Sequence, residues 1–165
     1  MKFSFAPMNE ADAVTIQQWH YDEPYAIYNP GADLEDGHSE LLDPHSPYYA
    51  VRDEQGELIG FFGFGTSAQP WDNTTPRLYT EDGIIDIGLG MRPDMVGRGL
   101  GLSFVSAGLA FAREHFAPRA FRLFVLTFNE RAIRVYEQAG FARIRVFVQH
   151  NIHGELTFLE MRCEA

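Results

Sequence analysis

The chain of 165 residues has little cysteine: one residue, Cys163, two positions from the last. An intrachain disulfide is therefore excluded, and so is a cysteine metal cluster. Cations are also scarce. Thirteen Lys and Arg face 23 Asp and Glu, for a formal net charge of −10 and a pI near 4.9. That balance argues against nonspecific nucleic-acid binding and against an anionic membrane surface, both of which need a basic face. It suits a cationic or amine partner, although ordinary solubility explains the same surplus. No apolar run approaches the roughly 18 residues of a spanning helix. The opening MKFSFAPMNEADA has one Lys and no apolar stretch, so no signal peptide is expected. A cytoplasmic protein is the default. The six histidines are scattered without ligand spacing, and no metal site is predicted.

What is present is an ordinary globular composition, 45% hydrophobic, with 14 Phe to fill a core. The length suits one domain over residues 1–165, and no repeat, low-complexity tract or linker divides it. Lys2 to Phe5 alternates like a short strand. Asn9 or Asp12 can cap a helix running to about His20. Tyr21 to Pro47 reads as loop with at most one short helix. Tyr48–Arg52 and Leu58–Phe64 flank Asp-Glu-Gln-Gly and form a hairpin. Thr66 to Thr80 is loop. Gly83–Met91 is a strand, and Leu100–Phe116 a helix with Leu102, Val105, Leu109, Ala112 and Phe116 on its buried face. Phe121–Phe128 is a strand, Asn129–Ala139 a helix stopped by a left-handed Gly140, and two strands close the chain. Hairpins followed by two strand-helix units predict an α/β fold with a mixed sheet.

The stretch RPDMVGRGLGLSF, from Arg92 to Phe104, joins a strand to a helix through Gly97, Gly99 and Gly101. Free backbone N–H groups at the positive end of a helix dipole form an anion site suited to phosphate. Glycines let the backbone approach such a ligand, and Arg98 can add a charged contact. Gly101 is followed by Leu-Ser rather than Lys-Ser/Thr, so this is not a P-loop. The third glycine of the dinucleotide fingerprint is missing as well. Taken alone, the loop is a weak signal, and a tight strand-helix joint with no ligand is the competing reading.

A second stretch, NERAIRVYEQAGF from Asn129 to Phe141, sharpens the reading. Together the two resemble the GNAT superfamily of N-acetyltransferases. The family's loop pattern, Gln/Arg-x-x-Gly-x-Gly/Ala, maps onto Val96 to Gly101, with Val96 departing at the first position. The second pattern matches at Asn129, Ala132, Tyr136, Glu137, Gly140 and Phe141. The resemblance spans most of the chain and implies a mostly antiparallel central sheet flanked by helices. It implies direct transfer of acetyl from acetyl-CoA to a primary amine of a small molecule or peptide. A sensor domain that binds acyl-CoA without turnover is the competing reading.

On that resemblance, backbone N–H groups of Gly97, Arg98, Gly99, Leu100, Gly101 and Leu102 hold the pyrophosphate. Main-chain groups of Leu89 and Met91 align the pantetheine arm. Tyr136 is the proton donor to the leaving thiolate, against a reading as plain aromatic packing. Asn129 contacts the pantetheine or caps its helix, and Arg134 touches the ribose phosphate or is solvated. The glutamate that some relatives carry before Asn129 is replaced by Phe124, Val125 and Leu126. Asp86, a charge inside the strand GIIDIGLGM, is then the strongest base candidate. Glu81, Asp82, His150 and His153 are weaker ones, or the amine loses its proton through water. Trp19, Tyr21, Tyr25 and Tyr28, with Asp22 and Glu23, form a candidate acceptor pocket able to hold a cation on ring faces. Core and loop packing is the plainer reading of that cluster. Dimers are common in such folds, and Phe-rich final strands would permit a homodimer.

Overall fold

The structure, a computed structural model, describes residues 1–29, 41–44, 47–65, 68, 83–151 and 154–165. Among them the elements run β1 (Ser4–Pro7), α1 (Glu10–Gln17), a 3-10 turn (Tyr25–Tyr28), β2 (Tyr48–Arg52), β3 (Leu58–Phe64) and β4 (Ile84–Met91). A second 3-10 turn (Pro93–Met95) leads to α2 (Gly101–Phe116), β5 (Ala120–Leu126), α3 (Glu130–Gln138), β6 (Ala142–Asn151) and β7 (Gly154–Glu164). The hairpin β2–β3 has the bounds that its alternation predicts. The two final strands are longer than expected, because antiparallel pairing carries β6 and β7 into their turn. Most of the predicted loop from Thr66 to Thr80 lies outside the described residues.

One sheet holds all seven strands in the order β1-β2-β3-β4-β5-β7-β6. Every neighbouring pair is antiparallel except β4 and β5. This is the mixed, mostly antiparallel sheet that the resemblance implies.

The core lies between one sheet face and α2 and α3. Phe62, Ile87, Phe121, Leu123 and Met161 meet Phe104, Val105, Leu109 and Ile133 there. Aromatic contacts dominate, as the Phe count predicts; Phe62 and Phe104 have ring centroids 4.9 Å apart. The buried face of α2 is Phe104, Val105, Gly108, Leu109 and Ala112. Leu102 is not part of it: at the start of α2 its side chain is 40% exposed, and Phe104 fills the first core turn instead. Gly108 is required by packing, because a Cβ there would collide with the Phe62 ring.

The opposite face carries α1. Asn9 caps it, its Oδ1 accepting from the Asp12 N–H at 2.7 Å. Ala13 and Ile16 bury against Leu41, and Trp19, Tyr48, Leu58 and Phe61 pack around them. On β6, Ile144, Val146 and Val148 are the exposed apolar residues, whereas Phe141 is buried. The exposed surface of the last strands is thus aliphatic rather than Phe-rich. No helix among the described residues is long and apolar enough to cross a membrane.

Candidate active site

The site begins where two strands part. β4 pairs with β5 only at Ile84–Ala120, Ile85–Phe121 and Asp86–Arg122. Beyond that point β5 stays with β7 through Leu126, and β4 stays with β3 through Met91. The Gly65 N–H donates to the Asp86 C=O, and the Arg92 N–H to the Ile59 C=O. Main-chain groups alternate sides along a strand. Asp86, Gly88, Gly90 and Arg92 therefore turn theirs toward β3, while Ile87, Leu89 and Met91 turn theirs toward the gap that β5 has left. That gap is a cleft of about 510 Å³, lined on its strand edges by Ile87 to Met91 and by Leu123, Phe124 and Val125. Leu89 and Met91 are thus on the edge where the sequence expects an extended ligand arm.

At the open end lies the glycine loop. Arg92 pins its start: the guanidinium donates to Asp94 at 2.6 Å and to the Leu58 carbonyl at 3.0 Å. The same guanidinium pulls the Asp94 carboxyl below its usual range. Gly97 and Gly99 have φ of +78° and +76°, a region that side-chain-bearing residues rarely adopt. Leu100 caps α2 without any side-chain hydrogen bond, and the Phe104 N–H is the first to bond back within the helix, to the Leu100 carbonyl. The N–H groups of Gly101, Leu102 and Ser103 are therefore available at the positive end of the helix dipole. Gly97, Gly99 and Gly101 line the cleft. A Cβ at Gly99 would meet nothing within 4 Å, so the loop faces open space. Arg98 is exposed and does not line the cleft.

The first turns of α3 form the other rim. Asn129 caps α3, accepting from the Ala132 N–H at 3.3 Å, and its amide donates to the Tyr28 hydroxyl at 3.2 Å. It lines the cleft as well, so capping and ligand contact are compatible. Tyr136 lies deeper, half-buried against Phe141 and on the cleft wall. Burial pushes its phenol above the usual value of 10.0, and the neighbouring Tyr28 adds to the rise. Tyr136 therefore keeps its proton throughout the neutral range.

Two expected residues are located elsewhere. Arg134 points to solvent and pairs loosely with Glu130 at 3.7 Å, outside the cleft. The cleft-facing arginine is Arg131, one helical turn earlier, with its guanidinium 4.3 Å over the Tyr25 ring. A Cβ at Gly97 would lie 3.9 Å from an Arg131 terminal nitrogen, so the cation stands beside the glycine loop. The difference is axial: Arg131 is in the first turn of α3, which lines the cleft rim, and Arg134 is one turn further along.

Asp86 corrects the other expectation. It is 3% exposed and makes a two-pronged ion pair with the equally buried Arg122, at 2.5 and 2.8 Å. The pair sits on the last register position before the strands part and does not line the cleft. Asp86 is a clip at the vertex, away from the cleft where a base is expected. Glu81, Asp82 and His153 lie outside the described residues. His150 is exposed, 4.0 Å from Glu155 and away from the cleft. Among the described residues, no carboxylate or imidazole lines it.

The N-terminal aromatic cluster is at the cleft. Trp19, Tyr21, Tyr25 and Tyr28 all line it, whereas Asp22 and Glu23 are exposed and do not. The Tyr21 hydroxyl donates to the Met91 carbonyl at 2.5 Å, tying the loop after α1 to the edge of β4. Burial pushes that phenol up to about 12. The Phe128 ring meets those of Tyr25 and Tyr28 at a tilt, with centroids about 6 Å apart, and ties the 3-10 turn to the start of α3.

Known proteins share this arrangement. Residues 13–141 match the acetyltransferase (GNAT) family. A mycothiol acetyltransferase of Streptomyces avermitilis is 36% identical over 112 residues, which is 67% of this chain and 32% of that protein. One from Propionibacterium freudenreichii is 32% identical over 63% of this chain and 33% of its own length. The chain thus spans about a third of the curated relatives it matches. Among solved structures, AAC(6')-Ib in complex with ribostamycin and coenzyme A aligns over 99% of this chain and 94% of its own, with a TM-score of 0.76 and 20% identity. A spermidine N-acetyltransferase chimera from Vibrio cholerae and hSSAT covers 99% and 96%, with a TM-score of 0.77 and 15% identity. With the fold, the glycine loop and the family match in agreement, this chain belongs to the GNAT acetyltransferase family.

Proposed function

We propose that this chain transfers acetyl from acetyl-CoA to a primary amine. The observation that carries the reading is the parted β4–β5 edge, which ends on a glycine loop at an uncapped helix N-terminus. The donor set fits the cosubstrate. Three free N–H groups and the space over Gly99 suit a pyrophosphate, with Arg131 rather than Arg134 as the nearby cation. The outward main-chain groups of Leu89 and Met91 suit an amide-bearing arm laid along β4. Family relatives named as acetyltransferases support the same chemistry.

In the reaction, the amine nitrogen bonds to the thioester carbonyl carbon, the carbon–sulfur bond breaks, and the amine's proton goes to solvent. Tyr136 donates a proton to the departing sulfur and regains one from solvent. Its raised pKa means that it acts as a hydrogen-bond donor that shifts its proton only as negative charge builds on sulfur. An alkylammonium with a pKa near about 10.4 must first be deprotonated. Water at the cleft mouth takes that proton, since no described side chain offers a base.

The test is release of free coenzyme A thiol from acetyl-CoA in the presence of amines. Amine-dependent release is the expected result. Tyr136→Phe should lower kcat by roughly 10²-fold and leave coenzyme A binding intact. Binding without release, whichever amine is added, would instead support a sensor that holds acyl-CoA.

A further inference from the structure

The two faces of the cleft differ in chemistry. Ile87, Leu89 and Met91 belong to the helix-side core, with α2, its glycine loop and α3 on that side. Gly88, Gly90, Phe61 and Phe124 alternate to the other face. Phe61 is opposite Gly90 in register, and a Cβ on Gly90 would strike its ring. Phe61 therefore lies across a strand stripped of side chains at two consecutive inward positions. Trp19 stacks on Phe61, with centroids 6.3 Å apart and an interplanar angle of 30°. Phe124 closes the other side, its ring held between the Arg122 guanidinium at 5.3 Å and Phe147 at 5.7 Å. Tyr21 spends its hydroxyl on Met91, leaving its ring as wall. A thioester fed through the slot from the phosphate side emerges among these rings.

We propose that the acceptor is an arylalkylamine: a primary amine on a short chain carrying a flat, uncharged aromatic body. This rests on the transferase reading and names its substrate class. Trp19, Phe61 and Phe124 offer ring faces and edges, which favour another ring by offset or edge contact. Gly90 gives its space to the Phe61 ring and Gly88 gives its space to Ala68, so an incoming group meets rings at this level. A polyamine or aminosugar would bring several ammonium groups to a wall that gives them no carboxylate among the described residues. The ring face of Tyr25, the obvious seat for a cation, is already covered by Arg131.

The experiment compares kcat/KM for phenethylamine and tryptamine with that for spermidine and kanamycin at one pH and ionic strength. The arylalkylamines should lead by about tenfold or more. Phe61→Ala should raise the acceptor KM about tenfold, and Phe61→Leu, which keeps the apolar volume, less than that. The KM for acetyl-CoA should stay put in both, which also reports that the fold survives. Preference for spermidine or kanamycin, or an acceptor KM that ignores both Phe61 variants, would overturn the proposal. Calorimetry of phenethylamine on the protein saturated with coenzyme A separates the two ideas. Binding without turnover would sink the transferase reading and leave the arylalkylamine site standing, whereas neither binding nor turnover would sink the site.

Discussion

β4 has two edges, and they behave oppositely. Against β3 it is paired at five positions, from Ile87 to Met91; against β5 it is paired at three, from Ile84 to Asp86. The first edge is structure. The second leaves the main-chain groups of Ile87, Leu89 and Met91 facing a cleft in the middle of a sheet, where a strand would ordinarily satisfy them. An open edge at that location survives because each strand has a stronger partner on its far side, and because a buried ion pair holds the vertex. The Asp86–Arg122 clip is the boundary between the two regimes.

Breaking the clip should have the largest effect. Asp86→Ala removes one partner of the buried Arg122 guanidinium, and removal of one buried partner costs about 3–5 kcal/mol. Urea unfolding should register that loss, and Arg122→Leu a similar one. The double variant should cost clearly less than the two losses added, because the interaction is shared. A base would behave differently: Asp86→Ala would spare stability and remove activity alone.

The next effect contrasts two glycines with almost the same backbone. Gly99 at φ +76° is in the loop over the cleft, and Gly56 at φ +82° is in the β2–β3 turn. Neither would press a Cβ against a neighbour within 4 Å. Replacement by Ala should destabilise both by about 1–2 kcal/mol through left-handed strain. Only Gly99→Ala should also weaken coenzyme A binding in calorimetry, because only there does the new methyl stand where a phosphate must approach the backbone. Equal binding in the two variants would mean that the loop is merely a tight joint.

Most of the fold was legible because periodicity reports which side a residue faces. The β2–β3 alternation, the β4 run and the Gly140 stop all follow from local rules. The glycine loop and the Asn129–Phe141 pattern pointed toward the cleft through the family resemblance they carry, not through periodicity. What escaped were facts set by pairing across the sheet. Asp86 read as an exposed anomaly because its partner, Arg122, is 36 positions away. Leu102 read as core because hydrophobicity does not reveal that the first turn of α2 leaves it exposed. Arg131 and Arg134 share a helix face and differ by one turn along the axis, which sequence alone does not measure against the glycine loop.

The tyrosines on the cleft supply a pH test of the same contrast. Burial raises Tyr21 to about 12 and Tyr136 further in the same direction, so both stay neutral in the folded chain where an unfolded one begins to ionise. Protons are then bound more tightly in the native state, and stability should fall as pH rises from about 10, the unfolded value, through about 12. Tyr21→Phe should flatten part of that decline in a pH series of thermal unfolding. Below pH 10 the phenols should leave both stability and turnover untouched, so any rise in rate between pH 7 and 9 belongs to the amine. An alkaline loss of rate that began near pH 8 and vanished in Tyr136→Phe would contradict a burial-raised donor.

The smallest effect separates the two arginines of α3. Arg131 faces the glycine loop, so Arg131→Ala should weaken coenzyme A binding by about three- to tenfold at low salt, as loss of one charged phosphate contact does. The difference from wild type should shrink as ionic strength rises, because the rim of the cleft is open to solvent and screened. Arg134 makes only a solvent-exposed contact with Glu130 at 3.7 Å. Its replacement should change stability by no more than about 0.5 kcal/mol and leave coenzyme A binding unaltered. If Arg134→Ala instead weakened binding and Arg131→Ala did not, the phosphate end of the ligand would have to leave the cleft over the outer face of α3. The guanidinium resting on Tyr25 would then serve the aromatic turn alone.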